Sequence, residues 1–487
     1  MGGIFFAVYT GEHTIDTNFT NAFMKLKTRG KGRTEFITEQ GGNALKMRDK
    51  MSRHEFNIHR VYNYIYGYHR TVINDPTFNA IQPFEFPSNY KKSMYKDLIS
   101  VPVKKLLSNS EIYNYNELIQ DNLFGEKDLE SSSDAEIILP LYIKYGINEA
   151  LNKLNGEFAM ILTDNTKSYK ESDVNIFAAR DPLGIRPLKL TYNNEKTFFL
   201  FVSETKGIPD YCLGRDWTTI DIPPGTFWSF QNRNAINPFT TYINLSERWS
   251  IDKCIYYIPN PSTLAAIYST LKDTIQDSVL IRSTEEIGVL LSDGFNSSLI
   301  MSILAKNSNV SKIHAFSLGS TEGKDTIQYL RQEFPECIIV HHSIDDTIDI
   351  PISYEKEVPD TKYIGLYLLL KYIETTNVKV VLYGGFLDTL FKESHDVQSL
   401  LDLSIVLNVL DATSAKFDIE LRYPYLDLRV IDAAMSINPI LKQKQKFDTD
   451  KESISKFLVR KSFTNGYLSN ELLWKFPKAM EFEYTVY

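Results

Sequence analysis

A chain of 487 residues is too long for one hydrophobic core and points to two domains. Hydrophobic residues at 43% and charged ones at 23% are ordinary for a globular protein, and no apolar run approaches the roughly 18 residues of a spanning helix. The formal charge of −8 argues against general affinity for nucleic acid.

The chain opens MGGIFFAVYT, a strand-like run behind a methionine that precedes a small residue. Such a start suits an enzyme whose nucleophile is its own first residue, yet Gly2 has no side chain. No basic stretch followed by an apolar one marks a leader, so the expected location is cytoplasmic, with no membrane partner. KLKTRGKGR (25–33) carries a basic residue at every second position; it reads as a solvated loop, with a phosphate-binding strip as the alternative. Up to about residue 240 strands dominate: FNIHRVYNYIYGYHRTVI, VNIFAAR, TFFLFVSE and GTFWSFQ are aromatic and β-branched between turn residues. DAEIILPLYIKYGINEALNKL has helical spacing instead. Cys212, Cys254 and Cys337 form neither a metal spacing nor a disulfide framework and fit a reducing compartment.

Pro259 and Pro261 predict a linker, after which strands and helices alternate. EIGVLL, KIHAFSLG, CIIVHHSI and VKVVLYGG read as strands; LIMSILAKN, DTIQYLRQEF and YIGLYLLLKYIETTN read as helices. Alternation of this kind predicts a parallel sheet with helices on both faces and ligands beyond the carboxyl ends of the strands. The turns SDGFNSS (292–298) and YGGFLDTLF (383–391) fall there and should lie side by side.

Over nearly its whole length, and in order, the chain resembles a class II glutamine amidotransferase of the asparagine synthetase type. The resemblance rests on NSEIYNYNEL (109–118), SSSDAEIILPLYIKYG (131–146), LNGEFAMIL (154–162), RDPLGIRPL (180–188), FVSETKGI and IPPGTFW. It continues through LLSDGFNSSLI (290–300), AFSLG, VVLYGGFLDTLF, ELRYPYLD (420–427) and KFLVRKSF (456–463). It implies an α+β sandwich of the N-terminal-nucleophile-hydrolase type (αββα) over residues 1–245. An α/β parallel-sheet ATP-pyrophosphatase domain, adenine nucleotide alpha hydrolase-like, is implied over 255–487. The family hydrolyses glutamine with an N-terminal Cys, passes ammonia through a tunnel, and adenylates aspartate with Mg-ATP.

Against that pattern, the family's MCGI is MGGI here, so position 2 offers neither thiol nor hydroxyl. In the glutamine pocket, Arg70 matches the clamp for the substrate carboxylate, Asp134 the group holding its amine, and Asn109 an oxyanion donor. Ser110 replaces the adjoining glycine, ahead of Glu111. The family's SGGLDSS becomes SDGFNSS, which keeps Ser292, Gly294, Ser297 and Ser298 behind Leu291. Asp293 replaces a phosphate-cradling glycine and is expected beside the phosphates, and Asn296 replaces the magnesium carboxylate. The family's SGEGSDELF becomes YGGFLDTLF, keeping Gly384 and Asp388 but putting Tyr383 and Phe386 where the family has Ser and Gly. Leu318 closes the AFSLG strand on the same nucleotide side, and Lys478 reaches the family's reactive lysine only by a one-residue shift, because Pro477 falls on that register.

These losses predict a catalytically degenerate member serving as a structural or binding component, with no catalytic residue, no metal ligand and no cofactor. The alternatives are an ammonia-dependent asparagine synthetase or related amide ligase using Mg-ATP, and a nucleotide or glutamine sensor. Family analogy suggests a homodimer; the sequence names no protein partner.

Overall fold

GGIFFAVY forms strand β1 (Gly2–Tyr9), buried along its entire length, which is why it lacks the polar alternation of a half-exposed strand. Ile4, Phe6 and Val8 face one hydrophobic layer with Leu107, Ile161 and Trp228. Phe5, Ala7 and Tyr9 face another with Phe19, Phe23 and Leu26, from the helix Thr17–Lys25 and the turn after it. This computed structural model describes residues 2–10, 17–40, 43–48, 64–71, 77–86, 103–122, 124, 129–164, 175–256, 260–319, 321–344, 363–392, 394–442, 445–446 and 453–475.

The sheet containing β1 also holds β2 (Arg33–Gln40), β3 (Asn43–Arg48), β4 (Tyr64–Arg70), β9 (Lys189–Asn193), β10 (Phe198–Val202) and β11 (Trp217–Asp221). Its order is β11-β9-β10-β1-β4-β2-β3, antiparallel throughout. The second sheet holds β5 (Phe84–Phe86), β6 (Lys104–Ile112), β7 (Gly156–Asp164), β8 (Asn175–Arg180), β12 (Thr226–Ser229) and β13 (Phe239–Thr241), in the order β13-β12-β8-β7-β6-β5. Its far face packs Phe158, Met160 and Leu162 against Ile138, Leu141 and Leu151 from the helices Ile138–Tyr145 and Ile147–Lys153. Helix, sheet, sheet and helix therefore stack as four layers, the αββα sandwich the resemblance implied.

In the second half, β14 (Glu286–Leu290), β15 (Lys312–Leu318), β16 (Ile338–Ile344), β17 (Val380–Tyr383) and β18 (Glu420–Arg422) form a parallel sheet in the order β16-β15-β14-β17-β18. Two compact units result: Met1–Asn244 with Ser404–Asp418, and Leu245–Leu403 with Ile419–Tyr487. Among the described residues no helix is long and apolar enough to cross a membrane.

Several local expectations need correction. Pro261 does not lie in a linker: it is the first residue of the helix Pro261–Ile281, where its missing N–H costs nothing, and Asn260 caps that helix by accepting from Thr263 N at 2.9 Å. The helical run at 134–153 is a 3₁₀ turn and two helices, broken at Gly146 with φ +76°. The basic strip is a solvated loop only in part: Lys25, Lys27 and Lys31 are exposed, but it ends the first helix, forms the turn Leu26–Arg29 and buries Arg29 completely. β18 was not expected at all; three residues are too few to show a period.

Candidate functional site

In the first unit, β1 and β4 place Gly2 opposite Arg70. Gly2 N donates to Asn109 Oδ1 at 2.8 Å, which brings the middle of β6 to the start of β1. Arg70, Ser110, Glu111 and Asp134 line one small pocket with Tyr68 and Gln82, so the pocket residues expected from the sequence do converge. Its open space is about 40 Å³, room for about three waters. Asp134 Oδ2 accepts from Ile112 N at 2.6 Å, and Ser108 Oγ donates to Ser110 Oγ at 2.8 Å. Asn109 Nδ2 is buried and finds no partner among the described residues.

Position 2 lacks a nucleophile, and it also lacks space for one. A Cβ on Gly2 would stand 2.0 Å from Tyr68 Oη and 2.4 Å from its Cζ. The ring is held there, because its hydroxyl donates to Ser108 O at 2.8 Å, and burial pushes the phenol well above its ordinary pKa. Tyr68 therefore fills the volume into which a side chain at position 2 would project.

In the second unit the two expected turns meet at the carboxyl ends of β14 and β17. A Cβ on Gly384 would lie 3.1 Å from Ser297 N, so only glycine permits this approach without a shift. Asn296 Nδ2 donates to Asp388 Oδ2 at 2.9 Å across the junction. Lys456 Nζ then closes a ring, 2.5 Å from Asp388 Oδ1 and 3.1 Å from Asn296 Oδ1. The lysine side chain is only 4% exposed. Burial pulls its ammonium below the ordinary lysine value, while Asp388 works in the opposite direction. Tyr425 Oη holds the Asn296 carbonyl at 2.8 Å.

The backbone donors at the start of the 292–298 loop, residues 292 to 294, are also taken. Ser292 N donates to Ser297 Oγ at 3.1 Å and Gly294 N to Ser292 Oγ at 3.2 Å. Asp293 N donates to Glu322 Oε2 at 2.8 Å, so a carboxylate of the chain itself occupies an N–H of the kind that a phosphate oxygen would use. Asp293, expected to project toward a phosphate, turns its carboxylate instead to Gly323 N at 2.8 Å, with Lys475 Nζ 3.8 Å away. Ser298 pairs with Thr326 at 2.8 Å. Leu291 packs beside Gly323, and Leu318 is the half-buried end of β15. Phe386 keeps a left-handed backbone, φ +75°, at the position of a family glycine, and its ring meets Tyr383 and Tyr423 at 5.8 and 6.0 Å. Lys478 and Pro477 lie outside the described residues.

The ring offers a divalent cation one carboxylate, Asp388, and one neutral amide, Asn296, and both already bond the buried Lys456 ammonium. Among the described residues no cluster of three His, Cys, Asp or Glu side chains could hold a metal.

Residues 31–221 match the glutamine amidotransferase domain family, and residues 270–401 and 394–484 match the asparagine synthase family. The chain is asparagine synthetase-like. It is 28% identical to a probable asparagine synthetase (glutamine-hydrolyzing) of Acanthamoeba polyphaga mimivirus over 85% of this chain and 75% of that protein. The probable enzyme of Schizosaccharomyces pombe is 29% identical over 78% of this chain and 72% of its own. The Rattus norvegicus enzyme is 26% identical, covering 87% and 77%.

In this asparagine synthetase-like chain the most recognisable motif serves structure. Within RDPLGIRPL, the Asp181 carboxylate accepts from the backbone N–H of Leu183, Ile185 and Arg186 at 3.0–3.1 Å. Arg180 donates to the carbonyls of Gly184, Arg186 and Ile222. Arg186 then pairs with Asp411 at 3.1 Å and Glu157 at 3.0 Å. The same Asp411 receives Arg29 at 2.6 Å, whose other arm holds Glu204 at 2.6 Å and whose Nε holds Gly2 O at 3.1 Å. This buried network ties the 404–418 segment to the start of β1. Sequence reasoning missed its members because Arg29 and Asp411 stand 382 residues apart. It also missed Lys456 and Glu322; KFLVRKSF marked the first only as family resemblance, and nothing local marks the second.

Proposed function

We propose that this asparagine synthetase-like chain carries out neither glutamine hydrolysis nor ATP-dependent amidation and acts as a cytoplasmic binding or structural component. The observation that carries this reading is the Lys456–Asp388–Asn296 ring. The chain's own ammonium sits on the oxygens that a metal-nucleotide would need. Glu322 on the Asp293 N–H and Tyr68 in the space beside Gly2 support the same conclusion at the phosphate loop and at the amidotransferase pocket.

Isothermal titration with Mg-ATP, with and without aspartate and ammonia, tests it, alongside assays of AMP and glutamate release. No heat and no products agree with the proposal. AMP formation would replace it with an ammonia-dependent amide ligase, the reading that the family favours. A second reading draws on the amidotransferase pocket, where Arg70 and Asp134 remain together, with the unpartnered Asn109 Nδ2 on the neighbouring β6. Saturable binding of glutamine without glutamate release would make the protein a glutamine sensor.

A further inference from the structure

A wide cleft in the first unit is remote from position 2. Phe199 in its wall pairs with Val8, six residues along β1 from Gly2, or about 20 Å at strand rise. It opens where the edge of one sheet, β9 to β11, parts from the β12–β13 hairpin of the other, and encloses about 320 Å³. That lies within the range of small-molecule sites, about 300–1,000 Å³, and is eight times the space left beside Gly2.

Its walls are aromatic: Tyr192, Phe199, Trp228 and Phe239 all line it, with Phe199 and Trp228 at 5.3 Å. Trp228 is buried and continuous with the inter-sheet core, so the cleft is a place where that core stays open to solvent. Ile236, on the loop that borders it, is fully exposed. Two cations share the lining, Lys196 in the β9–β10 turn and Arg233 after β12. Both are half-buried, and neither side chain makes an ion pair or hydrogen bond among the described residues. Arg233 only stacks on Phe230, 4.1 Å from the ring centre. Partly buried positive charge beside apolar walls is costly to leave without an anion. A neutral apolar ligand would leave both charges unmatched, and a small inorganic anion would leave the aromatic walls bare.

We propose that this cleft binds an amphipathic carboxylate, its apolar or aromatic body against Tyr192, Phe199, Trp228 and Phe239 and its acid group held by Lys196 and Arg233. The site is independent of the readings of the amidotransferase pocket and the nucleotide loop.

The full chain is titrated with dodecanoate, with dodecanol as the uncharged control, and followed by tryptophan fluorescence. Trp228→Phe assigns the signal among the four tryptophans. Expected is a saturable change with dodecanoate, absent from Trp228→Phe, and binding at least tenfold tighter than that of dodecanol. Lys196→Glu with Arg233→Glu should abolish that preference. If this pair melts early, Lys196→Gln and Arg233→Gln are measured singly, each expected to weaken dodecanoate and leave dodecanol unchanged. An absence of saturable binding, equal affinity for the alcohol, unchanged binding in the charge variants, or a full signal in Trp228→Phe overturns the proposal.

Discussion

Replacing Lys456 by Met and Asn296 by Asp is expected to create a divalent-cation site. In the wild-type chain Lys456 Nζ lies 2.5 Å from Asp388 Oδ1 and 3.1 Å from Asn296 Oδ1. A cation bound to those oxygens at about 2.0–2.6 Å would stand within about 4 Å of the ammonium. Two unit charges at 4 Å interact by about 4 kcal/mol at an effective dielectric of 20, hence about 8 kcal/mol for a divalent ion. The Asp388 side chain is 65% exposed, so solvent screening reduces this by roughly half, to about 4 kcal/mol. That is about a thousandfold in affinity, before the carboxylate introduced by Asn296→Asp contributes. Titration with Mn²⁺, reading the free ion by electron paramagnetic resonance, should show no binding by the wild-type chain at millimolar Mn²⁺. The folded double variant should bind at least a hundredfold more tightly. Equal binding by both proteins, or a well-folded variant that gains less than tenfold, would refute the electrostatic reasoning.

Four further outcomes are expected. Gly2→Ala should cost about 1–3 kcal/mol by overpacking against Tyr68, and a double-mutant cycle with Tyr68→Ala should recover most of that cost in urea unfolding; additive effects would mean that the ring does not fill the space. Gly2→Cys should release no glutamate from glutamine for the same steric reason. Arg29→Met should cost about 1–3 kcal/mol, since it removes a buried partner from two carboxylates that each keep one other, Glu204 its Lys206 and Asp411 its Arg186, and Arg29→Lys less; no measurable loss, read from the urea midpoint, would return Arg29 to the surface. His69, buried against Phe23 with its imidazole pKa lowered to about 4 by burial, should leave stability complete above pH 6.5 and erode it by about 3 kcal/mol as pH falls toward 4, because the unfolded chain takes up the proton first. His69→Gln should flatten that slope in melts at pH 7 and 4.5, and an unchanged slope would assign it to other groups.

Much of the architecture was legible because it depends on local patterns. Four of the five parallel strands show as short apolar runs between helical stretches, and a fully buried β1 shows as unbroken GGIFFAVY. The pocket residues Arg70, Ser110, Glu111 and Asp134 were legible through motif resemblance, and they do share one cavity. Pro261 misled because proline marks a helix start as readily as a linker, and only the Asn260 cap distinguishes the two.

The absence of a nucleophile at Gly2 and of a carboxylate at Asn296 is a matter of residue identity, and the sequence alone determined both. What stands in their place is a matter of three-dimensional proximity. Tyr68 reaches position 2 only through the antiparallel register of β1 on β4. Lys456 reaches Asn296 across 160 residues, and Glu322 meets Asp293 only where the ends of β14 and β15 lie adjacent. Arg29 reads as one more charge in a basic strip, yet its partners Glu204 and Asp411 lie 175 and 382 residues away. Hydrophobic periodicity is encoded within a few residues and survives in the one-dimensional text. Charge pairing depends on which distant segments the folded chain brings within about 3 Å, and that is decided by the packing of the whole unit.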